Sequence, residues 1–219
     1  MSGSGISTQR RIAALLILRV AFLGGGQHAL AMQPMAQAQQ ARTPPVAEVY
    51  LADAYLYIKK VQKNISNRDA ATVAKQMCDG AKILAKLHGG EPEQWLPLIM
   101  GIGKHESTYH PNARSNRNAR GVMQVHWPTW RRILERLGYD QDDLHNPKVG
   151  VPAGVAIFSL YLKEANGSVP RALGKYYGAF DRAYVRGVLT KALEFARYRQ
   201  EVAGIKDKER LALALMQLN

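Results

Sequence analysis

The chain has 219 residues, 47% of them apolar, with a single cysteine and a formal net charge of +13. That length holds one core-bearing domain and a small appendage, and the apolar content excludes a chain disordered throughout. The charge suits polyanions such as nucleic acid, anionic lipid headgroups or acidic wall polymer, but the basic residues are scattered and charge alone does not choose among these partners.

At the N-terminus, Arg10 and Arg11 precede an apolar stretch from Ile12 to Leu23, and Ala29-Leu30-Ala31 follows as a small-x-small cleavage box. This pattern predicts an export signal over residues 1–31 and a periplasmic or secreted protein. Arg19 interrupts the apolar run, and a permanent span needs ~20 apolar residues, so the stretch is not read as one. Residues 32–45, rich in Gln, Ala and Pro, read as a flexible leader.

Residues 46–90 read as a helical N-terminal segment with two patterns. The first carries Val49, Leu51, Ala52, Tyr55, Leu56, Ile58 and Val61, and breaks at Asn64 to Asn67. The second carries Ala71, Val73, Ala74, Met77, Ala81, Leu84 and Leu87 and stops at Gly89-Gly90. Cys78 lies within it and reads as a small buried hydrophobe; alone, it excludes an intramolecular disulfide and the usual cysteine-ligated zinc site. A third helix begins near Pro92, a good first-turn residue, and runs through Trp95, Leu98, Ile99 and Ile102 towards Glu106. Residues 107–121 are polar and read as a loop, and a long ordered loop beside a helix end is often functional. Helical patterns resume at about 128–138, 151–165, 169–177 and 181–203, and a short tail helix falls within 204–219. No run of period-two strands and no internal repeat emerges, so the predicted fold class is all-α.

Glu106 stands out by spacing. Ile102, Ile99 and Trp95 precede it by four, seven and eleven residues, which puts all four on one helix face. A carboxyl that continues an apolar face is poorly solvated, and desolvation raises its pKa; catalytic glutamates in such surroundings reach about 6. A carboxylic acid protonated near neutrality can donate to a leaving oxygen. The alternative from spacing alone is a partly exposed structural glutamate, although a negative charge near a helix C-terminus opposes the macrodipole.

The stretch Glu106-Ser107-Thr108-Tyr109-His110-Pro111-Asn112-Ala113-Arg114-Ser115, followed by Ala119 and by Gly121-Val122-Met123-Gln124, resembles the lytic transglycosylases with an SLT domain. Their pattern runs E-S-x-F-x-P-x-A-x-S-x-x-G-A-x-G-L-M-Q, and the spacing matches without a gap. Tyr109, Asn118 and Val122 replace Phe, the first Gly and Leu. Asn118 is a mild change, because Asn tolerates positive φ better than most residues. Asn146-Pro147, Gly150 to Gly154, and Ala172 to Gly178 look like later elements of the family; in the last, Tyr177 stands where Asn is usual.

The resemblance implies a lysozyme-like SLT domain over residues 91–203, preceded by the short helical segment. It implies cleavage of the MurNAc-GlcNAc β-1,4 bond of peptidoglycan glycan strands, with no metal and no cofactor. Glu106 would be the catalytic acid and then the base, closing a 1,6-anhydroMurNAc ring. The loop from Ser107 to Gln124 contains no Asp or Glu, which agrees with a lone glutamate rather than the usual carboxylate pair. Ser107 would orient the glutamate or nearby substrate. Ser115, Met123, Gln124, Tyr176 and Tyr177 would contribute to substrate binding, with Tyr176 placing its phenol by Glu106. Met123 is equally readable as core packing, and helical spacing does not point Tyr176 and Tyr177 the same way.

Rival readings are distinguishable. His105-Glu106 invites comparison with H-E-x-x-H, but Tyr109 occupies the second histidine position and His110 comes one residue late. No helix-turn-helix, zinc or RNP signature supports a nucleic-acid partner. A lysozyme-type hydrolase differs only in using water as the attacking group. A wall-binding assembly factor without catalysis would keep the groove, and a lytic enzyme could itself open the wall for an envelope-spanning secretion or conjugation system.

Overall fold

The computed structural model describes residues 46–202, with side chains from Tyr50 onward. The export signal at 1–31, the leader at 32–45 and the tail helix at 204–219 lie outside the described residues. Within them the protein is α-helical, in agreement with the expected fold class.

Helix α1, Val46–Val61, turns into α2, Asn67–His88. Ser66 caps α2: its hydroxyl oxygen accepts the Asp69 N–H at 3.0 Å, filling one of the unpaired donors of the first turn. Gly89 ends the helix at a φ of 82°. Helix α3, Pro92–Ser107, starts from a reciprocal capping box between Glu91 and Gln94. It ends on two consecutive left-handed residues, Thr108 and Tyr109, and the Tyr109 N–H reaches back to the Gly103 carbonyl.

A short antiparallel pair follows, β1 at Ala119–Arg120 and β2 at Val125–His126, with Ala119 opposite His126 and Arg120 opposite Val125. Two residues per strand are too few to produce a readable alternation, which is why the sequence shows only a loop there. Helix α4 spans Trp127–Arg136, and a 3-10 turn at Asp143–His145 leads into α5, Pro147–Glu164. Helix α5 begins earlier than the apolar pattern indicates. The Asn146 side chain caps it by accepting the Lys148 N–H, and Pro147 fills the first turn, where a missing N–H costs nothing. Helices α6, Val169–Tyr177, and α7, Arg182–Glu201, complete the described fold.

One core joins these elements. Buried residues of α2, such as Met77 and Leu84, share it with Ile99 and Ile102 of α3, Phe158 of α5 and Phe195 of α7. Helix α5 is buried along most of its length, against α2 and α6. Helix α3 packs between α2 and α7. Its crossing with α7 is close enough that a Cβ on Gly101 would lie 2.7 Å from the Val188 carbonyl oxygen. Glycine there lets the two backbones approach, and that approach carries the start of α7 to the end of α3.

Candidate active site

Glu106 is the penultimate residue of α3. Ile99 and Ile102 beneath it are almost wholly buried, as the helical face requires, while Trp95 is half-buried. Glu106 itself is half-buried, and its Oε1 accepts a hydrogen bond from the hydroxyl of Tyr184 on α7. Burial pushes its carboxyl up to about 7, while the Tyr184 bond works the other way by favouring the carboxylate. Neither influence is a second carboxylate.

Tyr184 is buried, and its phenol is raised by that burial and by the charge of Glu106. Its ring is held on two sides. Tyr177 stacks on it with ring centroids 4.5 Å apart and planes 22° apart. His105, next to Glu106, meets it edge-on at 5.0 Å and 82°. Gly187 makes room for that histidine: a Cβ there would come within 2.6 Å of His105 Cε1.

The phenol on the glutamate is therefore that of Tyr184, not Tyr176. The Tyr176 hydroxyl donates instead to the Met123 carbonyl at 2.7 Å; burial raises its phenol well above the ordinary value, and the nearby charge of Glu106 adds to that. Tyr184 lies beyond the motif that carries the family resemblance, so that motif does not point to it. A signal was available: Tyr184 shares the buried face of α7 with Val185, Val188, Ala192 and Phe195, and a phenol on such a face needs a polar partner.

The motif loop is held by its own polar residues. The Ser107 hydroxyl donates to the Val122 carbonyl at 2.8 Å and accepts the His110 N–H at 3.1 Å; these bonds go to the loop, not to Glu106. Ser115 closes a tight turn, accepting the Ala119 N–H on its hydroxyl at 3.0 Å. Asn118 sits at a φ of 64°, the backbone region its side chain tolerates, and its Oδ1 accepts from buried Arg120. Arg120 also donates to Asp142 and Gln141, tying the hairpin to the segment before α5.

Met123 does not line an open groove. Its side chain is fully buried, and a Cβ on Gly154 would stand 2.4 Å from the Met123 Cβ. The half-buried Gln124 directs its amide nitrogen at the Ala113 and Gly121 carbonyls, 3.2 and 3.0 Å away. Its carbonyl oxygen is the end suited to accept from a sugar hydroxyl or amide. Tyr177 is 55% exposed, so the open side of its ring is reachable from solvent. The structure thus brings Glu106, Tyr184, Tyr177 and the Met123 backbone to one place, while Ser107 and Ser115 brace the loop. His105 and His110 do not pair: Tyr109 between them is buried, with its hydroxyl on the Met100 carbonyl, and His110 is exposed.

Residues 80–185 match the model of the transglycosylase SLT domain. Three curated relatives named membrane-bound lytic murein transglycosylase C, from Actinobacillus pleuropneumoniae serotypes 5b, 3 and 7, are each 32% identical over 151 residues. Those matches cover 66% of this chain and 39% of each relative, so the chain spans well under half the length of the curated relatives it matches. No solved structure matches. Among the described residues no helix is long and apolar enough to cross a membrane.

Proposed function

We propose, from the match of residues 80–185 to the transglycosylase SLT domain and from the α-helical fold around them, that the chain is a lytic transglycosylase of lysozyme-like fold that cuts the MurNAc-GlcNAc β-1,4 bond of peptidoglycan, with Glu106 as its acid and base. The observation that carries the proposal is the Glu106 carboxyl at the end of the helix that opens the family motif, held by the Tyr184 hydroxyl and pushed up to about 7 by desolvation.

The chemistry follows from that carboxyl. Near neutrality a substantial share of Glu106 is protonated and donates its proton to the glycosidic oxygen as the bond to the anomeric carbon breaks. The N-acetyl carbonyl oxygen of MurNAc assists at that carbon. The resulting carboxylate takes the proton of the MurNAc C6 hydroxyl, whose oxygen closes the 1,6-anhydro ring. The proton lost in the first step is regained in the second, and water is not consumed. The Tyr184 hydroxyl supports the intermediate stage, since a hydrogen bond donated to a carboxylate stabilises it. Gln124, through its carbonyl end, and Tyr177, through its open side, are the proposed saccharide contacts.

Such a substrate requires a periplasmic or secreted location, which agrees with the export signal read in residues 1–31. A further role in opening the wall for a secretion or conjugation apparatus rests only on the basic charge and on the helices ahead of the domain. The catalytic reading is tested with purified sacculi: the wild type releases soluble muropeptides, whereas Glu106→Gln releases none while still sedimenting with the sacculi. Equal release by the variant would remove Glu106 from the mechanism.

A further inference from the structure

We propose that Tyr177 is a positioning residue for Glu106, acting through Tyr184. The inference rests on the reading of Glu106 as the acid and base, and assigns Tyr177 a second role beside its saccharide contact.

Tyr177 is the last residue of α6, just before Gly178, which turns the chain at a φ of 99°. Its ring is mostly exposed, so burial in the core does not hold it in place. It nevertheless lies nearly parallel to the ring of Tyr184, at stacking distance. His105 meets the same ring edge-on, seated against α7 where Gly187 leaves room for its imidazole. The Tyr184 ring is thus clamped between α6 and the end of α3. A phenol has two soft torsions, and its hydroxyl stays on a carboxylate only while its ring is fixed. An asparagine at position 177 has no aromatic face to supply that half of the clamp. The bulky replacement therefore supports the hydroxyl that meets Glu106.

The other titratable groups around this pair are also defined. Tyr184 on α7 donates to Glu106, Tyr176 on α6 lies near it but is bonded to Met123, and His105 faces the Tyr184 ring, with Lys191 of α7 near His105. Loosening the clamp weakens a bond that favours the carboxylate, so the Glu106 carboxyl moves further upward.

The test reads that carboxyl directly, without substrate, by NMR titration of the full chain labelled with carboxyl-13C glutamate. Tyr177→Ala and Tyr177→Asn are expected to raise the Glu106 midpoint by about half a pH unit, whereas Tyr177→Phe, which keeps the stack, leaves it in place. In a Tyr184→Phe background, Tyr177→Ala adds no shift. The proposal is overturned if Tyr177→Ala leaves the Glu106 midpoint unchanged while Tyr184→Phe moves it, or if the alanine shift persists in the Tyr184→Phe background. Because the titration needs no glycan, it gives the same answer if the protein cuts none; absence of release by a wild type with an intact clamp would instead count against the enzymatic reading.

Discussion

The hydroxyl of Tyr184 donates to Oε1 of Glu106, joining two residues 78 apart in sequence across the contact between α3 and α7. That bond and the burial of Glu106 oppose each other. Burial favours the protonated acid, which the proposed mechanism uses to break the glycosidic bond, and Tyr184 favours the carboxylate, which it uses to collect the next proton. A residue that must act as acid and base gains from a balance in which neither form dominates near neutrality.

Removing the phenol should tip that balance. Tyr184→Phe keeps the ring and its stack with Tyr177 but loses the donor. The expected result is a fall in kcat of about ten- to a hundredfold, with the alkaline limb of the pH–rate profile moved to higher pH. A pH series of muropeptide release measures both. A limb at the wild-type position would show that the phenol does not act on Glu106.

Stability should depend on pH through the same carboxyl. Folding raises Glu106 from 4.5 to about 7, so between those values the folded chain holds a proton that the unfolded chain has released. Stability therefore falls as pH rises through that window and levels off above it, by on the order of 2–3 kcal/mol. Glu106→Gln removes this dependence. Denaturant unfolding of both proteins should show the variant's relative stability growing from about pH 4.5 to 7. A pH-independent difference would contradict burial of the carboxyl.

Gly154 should be intolerant of a methyl group. A Cβ there meets Met123 Cβ at 2.4 Å and the Tyr176 hydroxyl at 3.0 Å, so Gly154→Ala must displace the residues that hold the loop beside Glu106. A loss of about 1–3 kcal/mol in unfolding free energy is expected, together with reduced release. Unchanged stability and activity would show that the contact is slack.

Ser107 provides a contrast with Glu106. Its hydroxyl bonds to the loop, so Ser107→Ala should lower stability by about 1–2 kcal/mol and reduce activity through loop disorder. If Ser107 acts on the glutamate alone, activity falls while the unfolding curve stays in place.

Much of this arrangement is legible in the sequence. The spacing of Trp95, Ile99, Ile102 and Glu106 describes a real helix face, and Asn118 adopts the positive φ that its replacement of glycine suggests. The two-residue strands are too short to leave a pattern. Roles that depend on tertiary contact are not legible in spacing alone. Tyr176 and Tyr184 are both aromatic residues on helices, and only the close packing of α7 on α3 selects Tyr184 as the partner of Glu106. Met123 reads equally as groove or core, and the glycine facing it across the fold places it in the core.

In the proposed reaction Glu106 regains its proton from the sugar's own C6 hydroxyl rather than from water. Mass analysis of the muropeptides released from sacculi by the purified protein tests it most directly. The expected products carry 1,6-anhydroMurNAc ends, one water lighter than reducing ends. Reducing MurNAc ends as the released product would contradict it and identify a hydrolase.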